Sequence, residues 1–172
     1  MQRSEPGGKE LNEILKELAV AYTEALKEQL GESLVAVVLF GSVAREEATP
    51  LSDVDLLIIV SGLPESRLAR QRCLEKADAL LEARLQVLRQ QGVLTDFVPV
   101  LKTPQEADQV TPLYFDLLQD ALILFEREGF FSAILERLRE SFQRLGARRV
   151  RRGKIRYWEL KPDYTPGEVF EL

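Results

Sequence analysis

The 172-residue sequence predicts an α/β (α+β) domain, a mixed β-sheet with packed helices. Three observations predict it. Residues 34–40 and 56–60 are short β-branched apolar runs bounded by turn residues, the pattern of buried strands. Longer stretches with apolar residues at helical spacing surround them. If the end of the first run, at Ser42, is to lie near the start of the second, at Asp53, the two runs are antiparallel neighbours. A helical segment follows the second run and can serve as the long crossover that a parallel strand needs.

Taken in order, residues 1–8 are polar, with Pro6 and Gly7-Gly8, and read as a loose arm. Leu11, Ile14, Leu15, Leu18, Tyr22, Ala25, Leu26 and Leu30 then form one helical stripe that Gly31 stops. The first strand ends at Gly41-Ser42, and residues 43–50 are turn-like. The second strand closes at Ser61-Gly62-Leu63-Pro64. Leu74, Ala77, Leu81, Leu85 and Leu88 mark a helix within 65–90, ended by Gly92. Residues 93–101 read as a third strand, with Pro99 marking an edge or an irregular end. Residues 112–119 read as a helix, 121–125 as a strand and 130–145 as an amphipathic helix after Gly129. Residues 1–127 are expected to form the main domain. Residues 128–172 add a C-terminal helix and a basic, aromatic tail packed on it.

Composition excludes several chemistries. There is no histidine, so neither a Ser-His-Asp nor a Cys-His nucleophile system nor an imidazole metal site is possible. A single cysteine, Cys73, excludes an internal disulfide framework. Acid–base or metal chemistry must rest on carboxylates, Lys, Tyr or the main chain. The net charge of −5 does not announce a nucleic-acid binder. No apolar run approaches the roughly 20 residues of a membrane span, and the N-terminus lacks the apolar segment of a signal peptide. A cytoplasmic location without a membrane partner is expected. Asn12 is the only asparagine, which with the many Glu and Arg residues hints at heat stability.

One segment carries the chemistry: Gly41-Ser42 after the first strand, then Ser52-Asp53-Val54-Asp55 at the start of the second. Glycine at a strand end lets the backbone approach a ligand, and free N–H groups and a hydroxyl suit an anion. Asp53 and Asp55 are two apart on a strand, so their side chains share a face while Val54 and Leu56 face the core. Paired carboxylates repel unless a cation lies between them. All-oxygen donors suit Mg²⁺, which takes one or two carboxylates plus substrate phosphates. A phosphate-holding turn beside such a pair describes nucleoside-triphosphate chemistry. The simpler alternative is an ordinary turn and a solvated Asp-x-Asp.

Gly41-Ser42, a ten-residue gap and Asp53-Val54-Asp55 resemble the signature of the DNA polymerase β-like nucleotidyltransferase superfamily. The string GSVAREEATPLSDVDLLIIV closely resembles its minimal bacterial and archaeal members, except that Glu46 stands where those usually have Gly. The resemblance implies the polymerase β-like fold. It implies Gly41 and Ser42 at the triphosphate, and Asp53 and Asp55 as catalytic Mg²⁺ ligands. A third carboxylate comes from a later strand, for which Asp96 is the candidate. For that, the third strand must run parallel to the second. Arg45 is a candidate triphosphate contact, with a salt bridge to Glu46 or Glu47 as its alternative. The implied reaction moves a nucleoside monophosphate, AMP from ATP being the preferred donor pair, onto an acceptor hydroxyl with release of pyrophosphate. Minimal members often pair with a HEPN-domain toxin as its antitoxin, so such a protein is a candidate partner.

Residues 148–156 carry six cations and no acid, followed by Tyr157-Trp158. Charge beside aromatic rings is what an RNA groove uses, so 148–158 is a candidate RNA contact. Packing onto the domain, or docking to an acidic partner, are its alternatives. Val169, Phe170 and Leu172 are expected to anchor the C-terminus. A homo-oligomer or a partner is expected to supply a second wall to a small site. The competing reading of the whole chain is a nucleotide- or RNA-binding subunit without turnover.

Overall fold

The computed structural model describes residues 8–153 and 155–165, without the side chains of Arg152, Ile155 and Arg156. The expected N-terminal arm, from Gly8 onward excepted, and the Val169, Phe170 and Leu172 anchor lie outside the described residues. Helix α1 (Gly8–Leu30) passes through a 3₁₀ turn at Gly31–Ser33 into β1 (Leu34–Phe40). The short helix α2 (Gly41–Ala44) and a turn lead to β2 (Val54–Val60). Helices α3 (Arg67–Arg72) and α4 (Glu75–Gln90) connect β2 to β3 (Phe97–Lys102). Then come α5 (Pro104–Asp108), α6 (Pro112–Asp120), β4 (Leu122–Glu126), α7 (Phe130–Leu145) and the hairpin β5 (Arg148–Arg152) and β6 (Ile155–Glu159).

The main sheet has the order β3-β2-β1-β4. β1 pairs antiparallel with β2, setting Phe40 opposite Asp55, and antiparallel with β4, setting Leu39 opposite Leu122. β2 pairs parallel with β3, setting Val54 opposite Phe97. The sheet is therefore mixed, with the strand directions expected from bringing Ser42 and Asp96 to Asp53.

Strand alternation sends successive side chains to two cores. Val37, Leu39, Val54, Leu56, Ile58 and Val60 pack against α1 and α4. Ala36, Val38, Leu57 and Ile59 pack against α5, α6 and α7. Both faces of the central strands are thus covered, which explains why 34–40 and 56–60 are apolar at nearly every position. The Tyr22 ring stacks on Phe97 with centroids 4.0 Å apart, joining α1 to the start of β3. On the other face Phe142 of α7 packs edge-on against both Phe115 and Trp158. That contact brings the β5–β6 hairpin onto the domain.

Four details depart from the sequence expectation. The third strand starts at Phe97 rather than near residue 93, because the Leu94 N–H donates to the Pro50 carbonyl in a loop contact (2.7 Å). The helical segment after β2 is broken at Cys73-Leu74 into two helices. α5 was not expected, although Thr103 and Glu106 form a capping box around Pro104 at its first turn. The basic tail forms a hairpin, with Arg149 opposite Trp158 and Val150 opposite Tyr157.

Candidate functional site

The ends of β1 and β2 create the site. β1 leaves the core at Phe40 and turns at Gly41, whose φ of +75° is reached at low cost only without a side chain. A Cβ on Gly41 would lie 2.1 Å from Asp55 Oδ2. The carboxylate thus lies directly on the glycine backbone, and only glycine leaves room for it. Gly41 is required both by its dihedral angle and by this approach.

The loop after Gly41 is fixed from α1. The Asn12 amide donates to the Val43 carbonyl (2.8 Å), and its carbonyl accepts the Ala48 N–H (3.0 Å). Asn12 is 3% exposed, so both bonds are shielded from water. Lys16 adds an ion pair with Glu46 (2.8 Å). Glu46 has φ +61°, a left-handed conformation that glycine adopts without strain. The place where similar sequences carry Gly therefore keeps the glycine-like conformation here, held by the bond to Lys16. Arg45 donates to Glu47 (3.0 Å), the salt-bridge alternative of the sequence analysis.

Asp53 immediately precedes β2, and Asp55 is its second residue. Among the described residues neither carboxylate has an ion-pair partner. Burial first, then the neighbouring Asp53 charge, holds the Asp55 carboxyl above the usual carboxylate range, and Arg45 opposes the shift. A cation on the Asp53–Asp55 face would relieve this repulsion. The donors are all hard oxygens, so they fit a Mg²⁺ ion.

Asp96 immediately precedes β3 and extends the parallel ladder. Its carbonyl accepts the Val54 N–H (2.9 Å), and its N–H donates to Asp53 Oδ1 (3.2 Å). The structure therefore brings Asp96 to Asp53 through its main chain. Its carboxylate accepts the Phe97 N–H (2.9 Å) and lies 3.8 Å from Arg89 on α4. Among the described residues no group of three His, Cys, Asp or Glu side chains gathers as a metal cluster.

The family described as Nucleotidyltransferase domain matches residues 21–161. This chain belongs to that family. The match spans the Gly41-Ser42 turn, Asp53, Asp55 and Asp96. The nucleotidyltransferase is 32% identical over 139 residues to MJ1305 of Methanocaldococcus jannaschii, whose name gives protein adenylyltransferase as an unproven activity. The alignment covers 80% of this chain and 86% of that one. Solved structures similar to the nucleotidyltransferase include a toxin–antitoxin with AMP-PNP (15% identity, 73% of this chain and 88% of that chain, TM-score 0.47). Another is a protein from Sulfolobus solfataricus assigned as a nucleotidyltransferase (21% identity, 74% and 95%, TM-score 0.46). No helix among the described residues is long and apolar enough to cross a membrane.

Two further groups beside the site carry no motif in the sequence. Asn12 was noted only as a rarity, yet it secures the loop of this nucleotidyltransferase. Its signal was a lone amide among Leu11, Ile14 and Leu15 on an apolar helix face. Tyr22 donates to Asp78 (2.5 Å) next to Asp96. Burial, then the Asp78 bond and charge, pushes the Tyr22 phenol far above its ordinary range. No spacing in the sequence links those two residues.

Proposed function

We propose that this domain transfers AMP from ATP to a hydroxyl on a protein, in a Mg²⁺-dependent reaction that releases pyrophosphate. The observation that carries the proposal is the Asp53–Asp55 pair, which has no ion-pair partner among the described residues and whose Asp55 carboxylate is laid against the Gly41 backbone. Two carboxylates held together in this way are the hard-oxygen donors that a Mg²⁺–triphosphate takes, and transfer of label separates turnover from binding alone. Similarity to MJ1305 supports a protein as the acceptor. The motif resemblance supports a HEPN-domain protein as one such acceptor, in a toxin–antitoxin pair.

In this reading Gly41 and Ser42 contact the triphosphate through main-chain N–H groups and the serine hydroxyl. Asp53 and Asp55 hold Mg²⁺, with Asp96 as the third carboxylate. When bound, Mg²⁺ supplies charge neutralisation at the triphosphate and lowers the pKa of the acceptor hydroxyl. The acceptor oxygen forms a bond to the α-phosphorus as the bond from that phosphorus to the β-phosphate bridging oxygen breaks. Pyrophosphate carries away the electron pair, and the acceptor proton passes to Asp96 or to water. Arg45 can leave Glu47 to meet the triphosphate, since that pair is exposed and weakly held.

The test is incubation of the full chain with Mg²⁺, α-labelled ATP and a candidate acceptor protein. Label should move to the acceptor, and Asp53→Asn should abolish the transfer. Transfer at the wild-type rate by Asp53→Asn would overturn the proposal.

A further inference from the structure

β3 is an edge strand whose only partner among the described residues is β2. Because the Asp96 carbonyl accepts from Val54, residues 96, 98, 100 and 102 direct their main-chain groups toward β2. Phe97, Pro99 and Leu101 therefore direct theirs to the open side. Pro99 contributes no N–H there, so the open edge offers mainly carbonyl acceptors, plus the Leu101 N–H.

Two hollows follow this edge and meet at Gln71 and Pro99. One, of about 410 Å³, lies between α3 and β3 at Arg67, Arg70 and Leu101. Its far end is closed by a twofold hydrogen bond from the Arg70 guanidinium to Glu106 (2.8 Å each). The other, of about 230 Å³, reaches Asp96. Leu74, Leu85 and Phe97 give it apolar walls, and Asp78 and Glu82 join Asp96 in giving it acidic groups. Three carboxylates face a single described cation, Arg89, which is bonded to Glu82 and lies near Asp96. The Asp96 charge is felt across this hollow, where it adds to burial in holding the Asp78 carboxyl above its usual range.

We propose that the open β3 edge and this groove form the track for an extended segment of the acceptor polypeptide, with a Lys or Arg beside the modified hydroxyl seated between Asp78 and Glu82. The inference rests on the protein-hydroxyl reading above and adds the sequence class of the acceptor. Six residues of β3 span about 20 Å, enough to pair with about six residues of an extended segment. Such a segment supplies the N–H donors that the acceptor-rich edge lacks. A long basic side chain suits the hollow because its stem packs on Leu74, Leu85 and Phe97 while its head meets the acidic surplus. Neighbouring side chains of an extended segment alternate, so the hydroxyl one residue away turns to the opposite face of the sheet, the face that carries Asp53 and Asp55.

The test uses the full chain and fluorescence anisotropy of two labelled peptides, each with one tyrosine, preceded by Arg in one and by Glu in the other. A single-stranded RNA oligonucleotide is the third probe. The Arg peptide should bind at least about tenfold more tightly than the Glu peptide. The preference should vanish in Asp78→Asn/Glu82→Gln, in which the new amide oxygen at position 78 can still accept from Tyr22. The Leu101 amide should gain protection from hydrogen exchange when the Arg peptide binds. Equal binding of both peptides, no peptide binding, a preference that survives the double substitution, or binding of RNA alone would overturn the proposal. The Mg²⁺–ATP shift in unfolding temperature, read on the same samples, reports separately on the nucleotide site.

Discussion

Two charged regions of this molecule are built on opposite terms. In the β5–β6 hairpin, the described arginines find partners within the chain. Arg148 pairs with Glu159 (2.7 Å), Arg149 bonds Gln119 and lies 4.0 Å from Asp120, and Arg151 donates to the Gly153 carbonyl (3.1 Å). At the ends of β1 and β2, Asp53 and Asp55 have no ion-pair partner among the described residues, although one of them is half-buried. The hairpin turns its described arginines inward, Arg148 and Arg151 onto the hairpin itself and Arg149 onto α6, whereas the aspartate pair keeps its charge for something that must arrive. A dense basic run is conspicuous in a sequence, but the sparser acidic pair has the stronger claim to function.

The largest expected effect comes from neutralising that pair. Asp55→Asn should reduce AMP transfer by about 10³-fold or more, measured with α-labelled ATP. The same substitution should raise the unfolding temperature of the nucleotide-free protein near neutral pH. The sign follows from linkage. A carboxyl whose folded pKa is raised binds more protons folded than unfolded, so stability falls as pH rises from the usual carboxylate range through the raised value. Acidification below that range should therefore erase the advantage of Asp55→Asn, as thermal melts across pH would show.

Next is Asn12→Ala, which removes both shielded bonds to the loop. Chemical denaturation should show a loss of about 2–3 kcal/mol, with transfer also impaired because Val43 and Ala48 lose their anchor. On the hairpin side, Trp158→Ala should cost about 2 kcal/mol through lost packing on Phe142, with little change in transfer by the folded protein. Parallel loss of transfer in this variant would mean that the hairpin belongs to the site, and would erase the contrast between the regions. The smallest effect is expected at Glu46. Glu46→Gly should leave melting temperature and transfer nearly unchanged, because glycine accepts the positive φ even as the Lys16 bond is lost. Glu46→Val should lower the melting temperature, since a β-branched residue is poorly accommodated there.

These contrasts also show what was legible in the sequence. Turn residues and apolar runs gave away β1, β2 and β4. The site gave away the pairing: Ser42 must reach Asp53, which makes β1 and β2 antiparallel, and Asp96 must reach the same pair, which makes β3 parallel to β2 across the long connection. Gly41 and Asp55 were legible because each is an unusual residue type at its place. The hairpin strands were not, because arginines satisfied by side-chain partners show no apolar alternation. α5 was overlooked although Thr103-Pro104-Gln105-Glu106 spells its cap. The turning of the Asp96 carboxylate toward Phe97 and Arg89 follows from side-chain geometry at one loop, and strand order does not encode it. The same holds for Tyr22 and Asp78, brought together across 56 positions of sequence.

The most direct test of the central claim is thermal unfolding of the wild type and of Asp53→Asn with ATP, with and without Mg²⁺. A ligand at about 100 times its Kd adds about 2.7 kcal/mol to the folded state, a readily measured rise in melting temperature. The account predicts a rise in the wild type that needs both ATP and Mg²⁺ and is lost in Asp53→Asn. An equal rise in Asp53→Asn, or one in the wild type indifferent to Mg²⁺, would contradict it.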